Sequence, residues 1–225
     1  MSIPHLRVRD LTVTGDGGRL LLSVNALDIA PGSRIGIRGP SGAGKSTLLH
    51  AIAGLVRAAS GAVRWGEADL AAMNDAERAR FRREHVGLIF QDFLLFEELS
   101  AAGNAALAAA FSASSRRGAI RAGADAMLGH LGLSDHSKRS VSTFSGGERQ
   151  RVAVSRALAG DPAIILADEP TASLDRAAAD RLIDDLAKLA SDRGKTLVAV
   201  SHDAALHARM DRVLDVVDGV LVAGA

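Results

Sequence analysis

The chain has 225 residues, with 27 basic against 26 acidic side chains and a formal net charge of +1. That length fits one large domain, or a core with a small appended lobe, and the near balance of charge excludes the global field that draws a protein onto nucleic acid, so no nucleic-acid partner is expected. Hydrophobic residues make up 48% of the chain, enough for a substantial core, yet no stretch approaches the roughly 18 uninterrupted apolar residues that cross a bilayer. The charged, alternating start MSIPHLRVRD lacks the apolar run of a secretory signal. The expectation is a cytoplasmic protein, peripheral on the inner face of the cell membrane only if a protein partner holds it there. With no cysteine in the sequence, disulfides and thiolate metal sites are excluded.

In chain order, residues 6–30 alternate apolar and polar in short runs around Gly15-Asp16-Gly17-Gly18, which predicts a small antiparallel sheet. Ser33–Arg38 reads as a short buried strand running into a glycine-rich loop. Thr47–Val56 reads as a helix with Leu48, Leu49, Ile52 and Leu55 at helical spacing. Val86–Phe90 is a further strand. The Ala-rich stretch 100–140 is helical in character, interrupted by a polar loop at Ser112–Gly118. A helix from Glu148, a strand at Ala163–Ala167, a helix over Arg176–Leu189 and a strand at Thr196–Ser201 follow. Val213–Val217 and Val220–Val222 then form a hairpin about Asp218-Gly219. Strands alternating with helices predict an α/β fold, a mostly parallel sheet covered on both faces with the Ala-rich block inserted.

Gly39-Pro40-Ser41-Gly42-Ala43-Gly44-Lys45-Ser46 fits G-x-x-x-x-G-K-[ST], between a predicted strand and a predicted helix that opens at Thr47. The glycines let the backbone wrap closely, so consecutive N–H groups converge on a phosphate, and the helix N-terminus adds its positive end. In such a loop Lys45 reaches the β- and γ-phosphates and the Ser46 hydroxyl ligates Mg²⁺. The apolar strand Ala163–Ala167 ends in Asp168-Glu169-Pro170, which places two acids at the sheet edge where ligands bind in open α/β folds. Asp168 is the candidate Mg²⁺ ligand and Glu169 the candidate general base for an attacking water. Ser145-Gly146-Gly147-Glu148 is a capping box at a helix start, and its two glycines also expose N–H groups to an incoming anion.

At Phe144-Ser-Gly-Gly-Glu-Arg-Gln150 the sequence resembles the ABC signature, more usually L-S-G-G-Q. The other motifs of that family fall in order. Gln91, after Val86–Phe90, resembles the Q-loop; Asp168-Glu169 ends a Walker B strand; Ser173-Leu174-Asp175 resembles the D-loop; His202 resembles the switch histidine. The resemblance runs from about residue 6 to 222. It implies a P-loop NTPase fold in one ABC ATPase domain, with a RecA-like core (about 1–91 and 146–225), an N-terminal antiparallel β subdomain and a helical subdomain (about 92–145). It implies ATP and Mg²⁺ as cofactors, with Gln91 sensing the γ-phosphate and touching the metal and His202 bonding the γ-phosphate. It also implies a second ABC ATPase subunit, a homodimer in the simplest case, whose Ser145, Gly146 and Gly147 cover the ATP held by the first, with Asp175 nearby. His207, one turn after His202, has no such support and reads as a helix-surface residue.

Two features depart from the pattern or refine it. Members of the family usually stack adenine on an aromatic of the N-terminal sheet, whereas Thr12-Val13-Thr14-Gly15-Asp16 has none, so weak discrimination between ATP and GTP is expected. Phe144 and Glu148 replace the usual Leu and Gln with the apolar anchor and the cap retained. Leu166–Thr171, Ser145–Arg151 and His202–Gly219 resemble the ATPases of lipoprotein-release and macrolide-exporter systems, although Thr171-Ala-Ser-Leu-Asp175 stands where the nearest members carry T-G-N-L-D. Those ATPases drive an integral membrane transporter subunit that transmits force. An importer ATPase or a soluble, non-transport ABC ATPase are the alternatives. Phe93-Leu-Leu-Phe96, beside Glu97 and Glu98, is the candidate docking point for the membrane partner or else the joint between the two lobes. The interval from Gln91 to Ser145 is too short and lacks the heptads for the coiled coil of DNA-repair members.

Overall fold

A computed structural model describes residues 4–222. Its strands are β1 (Leu6–Thr14), β2 (Leu20–Ile29), β3 (Arg34–Arg38), β4 (Ser60–Trp65), β5 (Ala68–Asp69), β6 (Val86–Ile89), β7 (Ile164–Asp168), β8 (Thr196–Val200), β9 (Arg212–Val217) and β10 (Val220–Val222). Its helices are α1 (Lys45–Ile52), α2 (Asp75–His85), α3 (Ala101–Ala105), α4 (Ser114–His130), α5 (Gly146–Leu158), α6 (Arg176–Asp192) and α7 (Ala204–His207). The strands form one sheet in the order β5-β4-β1-β2-β10-β9-β3-β8-β7-β6.

The sheet has two characters. β3, β6, β7, β8 and β9 run parallel to their neighbours within that block, and the crossovers between them carry helices. β1 pairs antiparallel with both β2 and β4, as the alternating pattern of residues 6–30 predicts. Along β7 the side chains divide by parity: Ile164 and Leu166 enter one apolar cluster, Ile165 and Ala167 another. β8 does the same, with Val198 and Val200 on the first side and Leu197 and Ala199 on the second. Both faces of the central strands are therefore buried, which explains their continuous apolar runs.

The first cluster also contains Leu6, Val8, Trp65, Leu48, Leu49 and Ile52. Because it joins the antiparallel strands to the parallel ones, the sheet curls around α1. Trp65 is buried and its indole N–H donates to the Ile52 carbonyl at 2.8 Å, closing the C-terminal end of α1. The second cluster packs Val154 of α5 and Leu182, Ile183 and Leu186 of α6 on the opposite face. A third gathers Ala101, Ala105, Ile120, Ala124, Leu128, Val141 and Phe144 with Val152 of α5. The Ala-rich block thus has its own core, joined to the rest along α5. Phe144 is the apolar anchor foreseen for it, buried at 6% exposure beneath the Arg139 guanidinium.

Three expectations are corrected. The helix after the glycine-rich loop spans Lys45–Ile52 rather than Thr47–Val56. Gly54 takes φ +66°, and Gly54 and Leu55 donate back to Ala51 and His50, ending the helix and leaving Leu55 exposed. The polar stretch Ser112–Gly118 is not a loop beyond its first two residues. α4 begins at Ser114, and Arg117 reaches back to the Ser112 carbonyl at 3.1 Å. Finally, β4, β5 and α2 went unforeseen. Their signals are present in the alternation Ala62-Val63-Arg64-Trp65 and in the capping box of Asn74 with Glu77, both halves of which form. Among the described residues no helix is long and apolar enough to cross a membrane.

Candidate active site

The loop from Gly39 to Gly44 leaves β3 and passes beside the C-terminal hairpin. Gly39 has φ +152°, and a Cβ there would lie 2.0 Å from the Val216 carbonyl oxygen. Gly44 has φ +98°, and a Cβ there would lie 2.9 Å from the Leu21 carbonyl oxygen. At both positions only glycine fits the conformation and the space together. The Gly219 N–H donates to the Ala43 carbonyl at 3.0 Å, so the Asp218-Gly219 turn clamps the loop from outside. Lys45 is buried and its ammonium lies over the loop, donating to Gly39 O at 3.0 Å and Pro40 O at 2.8 Å. Ser46 and Thr47 follow in the first turn of α1, half-buried, while Pro40, Ser41 and Gly42 form the exposed arch.

The carboxylates and the histidine gather on the same edge. Asp168 is 5% exposed, and its Oδ1 is buried with no hydrogen-bond partner. His50 of α1 brings Nε2 to 4.0 Å from Asp168 Oδ2, beside the end of β7, without a hydrogen bond. Glu169 takes φ +46°, a left-handed conformation that costs a non-glycine residue energy. Its N–H is held by the Val200 carbonyl at 2.9 Å, so the backbone turns sharply at the strand end. His202 is exposed, with Nε2 at 3.5 Å from Glu169 Oε1. Gln91 is exposed two residues past β6, whose last pair is Ile89 with Ala167.

Ser145, Gly146 and Gly147 lie elsewhere. Ser145 caps α5: its hydroxyl accepts from Glu148 N at 3.3 Å, and Glu148 Oε2 accepts from Ser145 N at 2.8 Å. Ser145 and Gly146 are exposed, and a Cβ on Gly146 would sit 3.7 Å from Ser173 Cβ. Asp175 caps α6 through a 2.9 Å bond from Ala178 N. Among the described residues no hydrogen bond or ion pair joins Ser145–Gly147 to the 39–46 loop. The chain therefore presents two glycine-rich helix N-termini, one beside the carboxylates and one apart from them.

Between the two lobes, Phe93 and Leu94 both have left-handed backbones. The Arg156 guanidinium of α5 holds their carbonyls, donating to Phe93 O at 2.6 Å and also to Leu94 O, and burial alone pulls its pKa down. Leu94 and Phe96 are left 55% and 51% exposed. They line a groove of about 400 Å³ with Leu107, Ala108 and Arg156. The structure corrects one reading. His207 is half-buried and not simply a helix-surface residue; its ring packs on Gly36 and bonds the Ser201 carbonyl. Neither this contact nor that of His50 was visible in the sequence, because each depends on which strand lies beneath the helix.

The capping box has a testable electrostatic consequence. The Ser145 N–H holds the Glu148 carboxyl below its ordinary pKa, with nearby Arg139 and Arg151 adding to the effect. A depressed carboxylate stabilises the fold above its unfolded pKa, about 4, and that contribution fades as pH falls through the folded value. Glu148→Ala should lower the urea midpoint near neutrality and approach the parent in acid. A midpoint difference constant across the acid range would contradict this assignment.

Comparison with known proteins agrees with this geometry. The family model described as ABC transporter matches residues 22–172. The macrolide export ATP-binding/permease protein MacB of Rhodopseudomonas palustris is 41% identical over 197 residues, 88% of this chain; the chain spans about 30% of that relative's length. The lipoprotein-releasing system ATP-binding protein LolD of Novosphingobium aromaticivorans is 38% identical over 224 residues, covering 98% of this chain and 100% of that one. The dimeric post-hydrolysis structure of the ATP-binding cassette MJ0796, bound to ADP and Pi, superposes with a TM-score of 0.88 at 32% identity, covering 98% and 97% of the two chains. The chain belongs to the ABC transporter family, as an ATP-binding cassette.

Proposed function

We propose that the chain is the ATP-hydrolysing subunit of an exporter or lipoprotein-release type ABC system, and that it dimerises around two ATPs to drive a separate membrane subunit. One observation carries the reading: Lys45, Asp168, Glu169 and His202 share a sheet edge, while the second anion-ready helix start, at Ser145, lies apart. In this reading the core takes in about 1–91 and 146–225, and the helical lobe about 92–145. The lipoprotein-releasing name of the relative matched over the whole chain supports the sub-family.

ATP lies with its phosphates against the backbone N–H groups of residues 39–47, and Lys45 turns from the loop carbonyls to the β- and γ-phosphates. The orphaned, buried Oδ1 of Asp168 fits a hard cation. Asp168, Ser46 and Gln91 would hold Mg²⁺, which when bound neutralises charge on the β- and γ-phosphate oxygens. Glu169 accepts a proton from the water that attacks the γ-phosphorus, while the bond to the bridging oxygen breaks and ADP departs with the electron pair. His202 donates to a γ-phosphate oxygen and keeps Glu169 in place. Ser145, Gly146 and Gly147 of a second copy close over the γ-phosphate, with Asp175 beside them, so loss of that group releases the pair. The membrane subunit docks at the Leu94–Phe96 groove, whose backbone Arg156 ties to the signature helix α5, and the cassette sits at the cytoplasmic face of the membrane through that contact.

Glu169→Gln should lower turnover by about 10²–10⁴, the range of a lost general base, with ATP affinity retained. Wild-type turnover in that variant would assign the base elsewhere. Because Thr12–Asp16 offers no aromatic for base stacking, a contact with an alanine-substitution cost of about 1–3 kcal/mol per base in nucleic-acid complexes, ATP and GTP should bind with similar affinity. A titration showing strong adenine preference would refute that.

A further inference from the structure

The segment carrying His202 is bound from several sides. Ser201, at the end of β8, is 1% exposed and donates its N–H to Ile37 O at 3.2 Å. The Ser201 hydroxyl accepts from Asp203 N at 3.0 Å, and Asp203 caps α7 by accepting from Ala205 N at 2.8 Å and from Arg176 at 2.9 Å. The next backbone group, the Ser201 carbonyl, has left the ladder between β8 and β3 and is buried. A buried carbonyl needs a partner, and the partner is a side chain: His207 Nε2 lies 2.9 Å away. A carbonyl only accepts, so Nε2 carries the hydrogen and donates it, while Nδ1 is buried without a partner.

The space for that ring exists because β3 has a glycine. Gly36 is buried, and a Cβ on it would meet His207 Nδ1 at 2.6 Å and Met210 Cγ at 3.3 Å. The first distance is one that real contacts do not show, so any side chain at residue 36 displaces the imidazole. Gly36 has an ordinary strand conformation, and close approach alone accounts for the glycine.

We propose that His207 is a positioning residue for ATP hydrolysis. By bonding the carbonyl of the residue immediately before His202, it fixes the peptide from which the His202 ring is aimed at Glu169 and the γ-phosphate, and Gly36 is the cut-out in the sheet that admits it. The inference rests on the proposed role of His202. It adds an element that the motif series does not contain, a second histidine acting through the backbone and never touching nucleotide.

The test is a variant set in the full-length chain, assayed for kcat, KM for MgATP and thermal midpoint. His207→Ala should lower kcat about 10- to 100-fold, the scale expected of a small misplacement near reacting groups, with KM unchanged. His207→Gln, whose amide N–H reaches the Ser201 carbonyl, should recover most of kcat, whereas His207→Leu, of similar bulk and without a donor, should not. Gly36→Ala should lower kcat by itself, yet add nothing to His207→Ala, because the severe clash it creates, at 2.6 Å, is with the ring already removed, and the flexible Met210 side chain at 3.3 Å can yield. The double variant should regain thermal stability through the filled space while kcat stays low. A kcat that recovers together with the midpoint would reduce His207 to packing and overturn the proposal, as would wild-type kcat in His207→Leu. His202→Ala separates the two ideas: wild-type turnover there defeats the role of His202 itself, whereas lost turnover there with normal kcat in folded His207→Ala and His207→Leu defeats only the link.

Discussion

The burial of α1 inside the curled sheet is the constraint on which the rest of the molecule depends. Leu48, Leu49 and Ile52 share one cluster with strands from both halves of the sheet, and burial of such side chains contributes about 1.5–3 kcal/mol each. The helix is fixed at both ends. Trp65 bonds its last turn, and the Gly39–Gly44 loop, clamped by Gly219, feeds its first. Because the helix cannot rotate or slide, its N-terminal N–H groups face the edge where Asp168, Glu169 and His202 emerge. The glycine loop is thereby held in one geometry, which in the proposed reading makes it a preorganised phosphate cradle, and electrostatic preorganisation is the main resource for phosphoryl chemistry.

A second constraint follows from the position of α5. It is shared by two apolar clusters, the one against the sheet and the one of the helical lobe, and among the described residues no hydrogen bond or ion pair joins its N-terminus to the 39–46 loop. Its exposed start is capped by Ser145 and stiffened by Glu148. In the proposed reading one chain supplies two complementary half-sites, the 39–47 loop and the Ser145–Gly147 helix start, that it does not close on itself. The proposed head-to-tail pairing of two copies would satisfy both, and the MJ0796 cassette, dimeric in its own structure, shares this fold over nearly its whole length. Arg156 ties the same helix to the backbone of Phe93 and Leu94, so in the proposed reading Ser145 and the docking groove are joined through one helix.

What was legible in the sequence was whatever local chemistry dictates. The phosphate loop, the acids ending an apolar strand, the capping box at Ser145 and the hairpin at Asp218-Gly219 each demand particular residues at fixed offsets, and each lies where it was expected. Boundaries fared worse where a terminating signal sat among apolar residues. Leu55 keeps helical spacing with Ile52, yet Gly54 had already ended the helix. α2 carries little periodic signal because most of its residues are charged and only Arg78 and Phe81 are buried. The contacts of His50 with Asp168, and of His207 with Gly36 and Ser201, depend on the sheet order β9-β3-β8-β7. No local pattern encodes that order.

The most direct test of the central claim is the ATP-dependent mass of the chain in solution. Light scattering of Glu169→Gln, alone and combined with Gly146→Asp, would be measured with ATP and with ADP. The account predicts a dimer with ATP and a monomer with ADP for the single variant. It predicts a monomer in both nucleotides once Gly146→Asp sets a carboxylate against the γ-phosphate, with ATP still bound. A Glu169→Gln chain that stays monomeric with ATP bound, or a double variant that still dimerises, would contradict the shared site.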